Sequence, residues 1–276
     1  MKKAISLLVA IMMIFVLFAA CGNTAKPDTS NGGEQETASA EVSESEEASA
    51  EVLPATSEVA STGNPISDSL TAYMNAKNVV YAKISDGLSN NPDTVMTAFS
   101  LVGIGLADVN FMMAGFFGAG QEAAALGLSF FDVTDVQYSE NGNEYAISYK
   151  DADGTTWSMT GKWDAAADSL SCIGAKDGVE YFYADYHRTA YGYIAQYYLP
   201  DNSTGNLYLV AVEGEDGTFG ISTVSAVPVA LTGSEAADYP ASCDEWYAIH
   251  GTTITGKTSD GTEINFEYVP TESASN

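Results

Sequence analysis

The residues best suited to chemistry gather in one stretch. Residues 181–198, YFYADYHRTAYGYIAQYY, hold seven of the 16 tyrosines, one of the two histidines and the sole arginine of the chain. Tyrosine joins a broad apolar ring to a polar tip, which suits stacking on sugars, peptides or amphiphiles. Arg188 carries the planar fork that grips a carboxylate or phosphate. The candidate ligand contacts are therefore Tyr181, Tyr183, Tyr186, His187, Arg188, Tyr191 and Tyr193. Strand alternation puts Tyr181 and Tyr183 on one face, and Tyr191, Tyr193 and Tyr197 together on the face of the next run. A structural role competes with this one, because tyrosine is a good strand former and a lone arginine among many acids can simply neutralise a neighbouring Asp or Glu.

Catalytic patterns are thin. No G-x-S-x-G elbow occurs, and His187 and His250 are the only imidazoles that could serve a serine nucleophile. His250, in YAIHGTT, reads as an ordinary strand residue. Paired carboxylates could cleave a glycoside, but abundant acids make that signal uninformative without distances. DADG at residues 151–154 opens like a calcium loop yet lacks glycine at the sixth place and glutamate at the twelfth, so it reads as a hairpin turn, as does EGEDG at 213–217. Two histidines and three cysteines are too few for a structural zinc site, and neither a metal nor a cofactor is expected. Cys172 and Cys243 could form a disulfide in an exported protein if the fold brings their Cα atoms within roughly 4.4 to 6.8 Å.

The elements that must position these residues fall into two blocks. Leu70, Tyr73, Met74, Tyr81, Ile84 and Leu88 form an apolar helical stripe, with Ser67 or Asp68 as cap and Lys77 and Lys83 expected outside. Asn91-Pro92-Asp93 then predicts a second helix from about Pro92. It runs into FSLVGIGLADVNFMMAGFFGAG, residues 99–120, which is apolar enough to resemble a membrane span. Asp108 and Asn110 near its middle and the absence of flanking Lys or Arg favour a buried core helix instead. Its glycines suggest close packing and a break near 115–120. A short third helix is expected over 121–128.

After Asp132 the apolar period changes from 3.6 to 2, as in Tyr145-Ile147-Tyr149, Trp157-Met159 and Ile264-Phe266-Tyr268. Asn141-Gly142, Asp153-Gly154, Asp216-Gly217 and Asp260-Gly261 supply turn residues between the strands. The expectation is an α+β domain in which an N-terminal helical hairpin and a short helix pack on a large antiparallel β-meander of eight to ten strands, each with one wet face.

The N-terminal region addresses the protein. Lys2 and Lys3 precede a 17-residue run, 4–20, in which Ser6 is the only polar member, as in a secretory signal. Its end, Leu17-Phe18-Ala19-Ala20-Cys21-Gly22, resembles the bacterial lipoprotein signal, although Phe18 stands where that family usually has an aliphatic residue. The resemblance implies export, removal of residues 1–20 and lipidation of Cys21. Acyl chains anchor stably when at least two are present. Residues 21–65 read as a disordered tether rich in Ser, Thr, Glu and Ala, since such a composition buries too little apolar surface to offset chain entropy. Residues 66–270 form one domain and 271–276 a disordered tail.

Charge narrows the partners. Residues 66–270 hold 27 Asp plus Glu against 7 Lys plus Arg, a net charge near −20. Binding phosphate backbones needs clustered cations, so nucleic acid is excluded as a partner. The sequence thus points to a non-enzymatic, lipid-anchored binding or interaction domain at the extracytoplasmic face of a bacterial membrane, handling an amphiphile, a glycan or an envelope protein. Two alternatives stay open: a cell-envelope hydrolase using carboxylates or His187, and a structural envelope lipoprotein.

Overall fold

Asn64 starts the first helix: its side chain accepts the N–H groups of Ile66 (3.0 Å) and Ser67 (3.4 Å), and Pro65 occupies the first turn. Both devices deal with donors that a helix start leaves unpaired. The cap therefore lies upstream of Ser67 and Asp68, the positions expected from sequence. Asp68 instead faces backwards, accepting from Ser61 Oγ (2.6 Å) and from the N–H and hydroxyl of Thr62 (2.8 Å each). Folded structure thus reaches back to Ser61, ahead of the boundary expected at 66. The computed structural model describes residues 61–270; the signal-like run, Cys21, the tether up to residue 60 and the 271–276 tail lie outside the described residues.

The domain is mixed α+β and mostly β. Helix α1 (Pro65–Asn90) ends at Asn91, whose Oδ1 accepts the Asp93 N–H at 3.0 Å. The expected helix from Pro92 does not follow directly. The Thr94 hydroxyl donates to the Leu88 carbonyl at 2.9 Å, holding the chain in a tight turn. A 3-10 turn (Thr97–Leu101) then leads into α2 (Val102–Phe111), a second 3-10 turn (Met112–Phe116) and α3 (Gly120–Leu128). Gly118 and Gly120 have φ of +75° and +82°, which is where the apolar segment breaks, as its glycines suggest.

Eleven strands follow, β1 (Thr134–Asn141), β2 (Glu144–Lys150), β3 (Thr156–Asp164), β4 (Ser169–Lys176), β5 (Val179–Arg188), β6 (Tyr193–Asp201), β7 (Thr204–Glu213), β8 (Asp216–Val224), β9 (Glu245–His250), β10 (Thr253–Lys257) and β11 (Glu263–Glu267). They pair antiparallel in sequence order within one sheet, slightly more strands than expected. Asn141-Gly142, Asp153-Gly154 and Asp260-Gly261 lie at or in turns. Asp216-Gly217 does not: Glu213 pairs with Asp216, so the tight turn is Gly214-Glu215, with Gly214 at φ +62°.

One face of the sheet packs on the helices. Tyr73, Ile84 and Leu88 of α1, Ile104 and Phe111 of α2, and Phe182, Tyr186, Tyr197, Val210, Phe219 and Tyr247 of the sheet are all at most 1 % exposed. Lys77, expected outside, is 0 % exposed. Its ammonium donates to Asp108 Oδ2 on α2, and Tyr197 donates its hydroxyl proton to Asp108 Oδ1 at 3.2 Å. Tyr73 completes the chain by bonding Tyr197 across 2.5 Å. Burial pushes the Lys77 amine down and the Asp108 carboxyl up, each partner opposing the other's shift. A buried pair of this kind contributes little net stability when intact, but a lone buried charge is costly.

The apolar segment is therefore not the uniformly buried helix expected. Thr97–Phe116 is long and apolar enough to cross a membrane by length and composition, and only 39 % of its apolar 18-residue window is buried. Its inner side is fixed by Asp108; Gly103 lets the Tyr208 ring close in, where a Cβ would lie 2.1 Å from the hydroxyl.

Lys77→Met and Asp108→Leu are each expected to destabilise the domain by about 3 to 5 kcal/mol, whereas the double variant recovers most of that loss. Urea unfolding of all four proteins checks this. Single and double variants of equal stability would contradict it.

Candidate functional site

The sheet's other face divides in two. By alternation, Ile194, Leu209, Ala211 and Ala248 point away from the helices, yet each is at most 3 % exposed. The long connection between β8 and β9, residues 225–244, covers them with Leu231, Pro240 and Cys243, all buried. This strap is bonded to the strands beneath it. The Leu231 N–H donates to Asp185 Oδ2 (3.0 Å), Gln196 Nε2 to the Val229 carbonyl (2.9 Å), Tyr191 OH to the Glu235 carbonyl (3.2 Å), and the Asp244 N–H to Ser222 Oγ (2.9 Å). Gly220 has no Cβ where the Pro240 carbonyl passes; one built there would fall 2.2 Å from that oxygen. The stretches of β5 to β9 beneath the strap therefore lack the wet face expected from sequence, and β6 is buried on both sides from Tyr193 to Tyr198.

Where the strap ends, an open groove of about 550 Å³ runs across the outer face of β2 to β6. Ile173, Tyr183, Tyr198, Asp185 and Gln196 line it, with Val227 and Pro228 of the strap as one wall and Lys162 and Glu144 among its residues farther out. The Tyr183 and Tyr198 rings are 5.9 Å apart and tilted by 44°. Gly205 makes room for Tyr198, whose ring carbon lies 2.4 Å from the position a Cβ would take. The Tyr183 hydroxyl donates to Glu180, which helps raise its pKa to about 12.

Asp185 is the unusual group. It is 6 % exposed, and its Oδ1 has no hydrogen-bond partner among the described residues. Burial pushes its carboxyl up to about 6; the Leu231 N–H and the nearby Gln196 amide hold it down, and the charge of Glu235 adds to the rise. A carboxyl so placed switches between donor and acceptor in the mildly acidic range.

The candidate residues of the tyrosine-rich stretch are dispersed rather than gathered. Tyr183 lines the groove. Tyr181 does not share its face: the register shifts between Gly174 and Ala175, opposite Phe182 and Glu180, so Tyr181 turns to the helix side and meets Trp157 edge-on at 5.3 Å. A bulge changes the face of the residue it frees. Tyr186 is core, stacked on Tyr73 at 4.9 Å, with its hydroxyl 2.8 Å from Ser69 Oγ. Tyr193 packs beside both rings, and Tyr191 leaves their face to bind the strap. Arg188 forms no ion pair among the described residues; its guanidinium lies 4.7 Å from the Tyr193 ring centroid and donates to that hydroxyl at 2.6 Å. His187 is half-buried under Gly233, and burial lowers its pKa against the opposing charges of Glu235 and Asp164. The junction of the tyrosine-rich strands and the helices is filled by the protein's own side chains.

Cys172 and Cys243 are both buried free thiols, one against Gly161 on the helix side and the other against Gly220 on the strap side. The disulfide that export would allow is not formed, because the sheet separates the two residues. Asp151 of DADG serves its own loop, accepting from the Asp153 and Thr155 N–H groups and from Trp157 Nε1 (2.8 Å). Among the described residues no cluster of three His, Cys, Asp or Glu could hold a metal.

Asp185, Gln196 and Tyr198 were missed in the sequence. Alternation already placed Asp185 on the face of Tyr183, but nothing local shows that a distant strap buries it. Comparison with protein-family models, curated proteins and solved structures returned no significant match.

The raised pKa of Asp185 has a testable sign. The folded state holds this proton more tightly than the unfolded chain, so its contribution is full below the ordinary aspartate value of 3.8 and is lost as pH rises through about 6. Asp185→Asn is expected to gain up to about 3 kcal/mol relative to the parent between about pH 4 and 7. Paired urea titrations at those pH values check it; a constant difference would place the carboxyl's titration elsewhere.

Proposed function

We propose that this is a lipid-anchored extracytoplasmic binding domain that holds a glycan-like ligand in the groove beside the strap. In this reading α1 and the α2 segment form a hairpin laid on the inner face of the meander, and the binding surface lies on the opposite face. The observation that carries it is the half-buried Tyr183 ring at the groove mouth, backed by the buried Tyr198 ring 5.9 Å away and beside a buried carboxyl whose Oδ1 is unpaired. A tyrosine ring stacks on the apolar face of a pyranose ring, and the exposed Ser171 and Thr160 offer hydroxyl partners, with Asp185 and Gln196 beneath them holding the strap. An amphiphile fits less well, since the groove is open and its floor is interrupted by polar groups.

A hydrolytic role has weaker support. His187 lies outside the groove's lining, and the acids along it, Glu140, Glu144 and Asp185, include no pair shown to converge on one point. Anchoring rests on the resemblance of the sequence around Cys21 to the lipoprotein signal.

Screening the protein against neutral and acidic glycans is expected to give binding that falls roughly tenfold in Tyr183→Ala and in Tyr198→Ala. Binding unaffected by both substitutions would move the site away from the groove. Labelled palmitate is expected to enter the parent chain and not Cys21→Ser. Equal labelling of the two would remove the anchor.

A further inference from the structure

The helical layer carries a second surface that neither the core nor the groove uses. Met96 is 74 % exposed, Phe99 66 % and Leu106 53 %, with Val95 and Val102 also exposed. Phe99 and Val102 are three apart across the 3-10 turn and Val102 and Leu106 four apart in α2, so these three share one side of the segment, opposite Ile104, Ala107 and Phe111, with Val95 and Met96 exposed in the turn before them. Residues 94–121 contain a single ionisable side chain, Asp108, and that one is turned inward to Lys77. A domain with a net charge near −20 thus carries one exposed segment with no charged side chain on its outer side.

We propose that this stripe is a lipid-facing surface that lays the domain against a charge-neutral bilayer interface. The inference rests on the lipid-anchored reading, since attachment at Cys21 is what keeps the stripe near a membrane. Roughly 40 residues separate Cys21 from Ser61, so an anchored chain meets the bilayer in an intramolecular event at an effective concentration in the millimolar range. A shallow apolar contact then suffices for high occupancy. The segment lies on the membrane rather than spanning it, because leaving the domain would strip Lys77 of its carboxylate and expose the Phe111 side of the core. Neutral lipid is favoured over anionic lipid by the charge of the domain itself.

Docking in this way has an orienting effect. The stripe belongs to the helical layer and the groove to the opposite face of the sheet, so contact with lipid turns the groove away from the bilayer.

The test uses the full acylated chain in vesicles of neutral phosphatidylcholine with brominated acyl chains. Phe99→Cys is labelled with a fluorophore, Cys172 and Cys243 being buried. The control is Val229→Cys, on the strap at 89 % exposure. Interfacial helices bury their apolar face roughly 5 to 10 Å deep, so the label at 99 is expected to be quenched at least about twofold more than that at 229. Equal quenching overturns the proposal, as does a change at 99 that follows protein density and ignores bromination, which marks self-association. Intact mass of the same sample reports acylation: an unacylated chain refutes the anchor and the inference built on it, whereas an acylated chain with an unquenched label refutes docking alone.

Discussion

The buried contact between Lys77 and Asp108 constrains everything around it. Each group alone would be an uncompensated charge in a core of Tyr73, Phe111 and Tyr197, so α1 and α2 must meet at this point and in this rotation. Tyr197 extends the constraint to the centre of the sheet by donating to Asp108, and Tyr73 closes the path back to α1. Three elements are thereby locked by one carboxylate. The cost of burying it is met by hydrogen bonds at both oxygens, and the tyrosines that supply one of them do structural work that their composition alone does not reveal.

That same carboxylate decides what the helical layer shows to its surroundings. With Asp108 consumed inside, α2 and the turn before it have no charge left for their outer side, and apolar residues remain there. A sequence with its acid facing water would have made an ordinary amphipathic surface helix. Here the one charged residue faces the core beside Ile104, Ala107 and Phe111, and apolar residues also face out.

Much of the architecture was legible because it depends on local rules. The switch to period 2 after Asp132, the turn residues at Asn141-Gly142 and Asp260-Gly261, and the stripe through Tyr73 and Leu88 all follow from spacing within a few residues. The failures share a different cause. Lys77 looked external because its partner lies 31 residues away. Tyr181 and Tyr183 looked cofacial because a register shift leaves no mark in period-2 alternation. The burial of β6 on both sides depends on a strap 30 to 50 residues downstream, and so does the character of Asp185. The site was legible only at Tyr183, since every other feature of the groove is created by tertiary cover.

The strap explains why the groove lies where it does. A sheet of eleven strands with helices on one face leaves a broad opposite face, and residues 225–244 are long enough to cover only part of it. Under the strap, outward residues can be apolar; beyond it they are mostly polar, with Ile173 and Tyr183 as exceptions. The boundary crosses β5 and β6, where Asp185 and Gln196 bond the strap from below while Tyr183 looks out past its margin over the buried Tyr198. Apolar rings, a sheltered carboxyl and open access coincide at that margin and nowhere deeper, because only there is a strand residue half covered. Any movement of the strap would alter the environment of Asp185 before that of any residue in the helical core, which places adaptability at the groove and rigidity behind it.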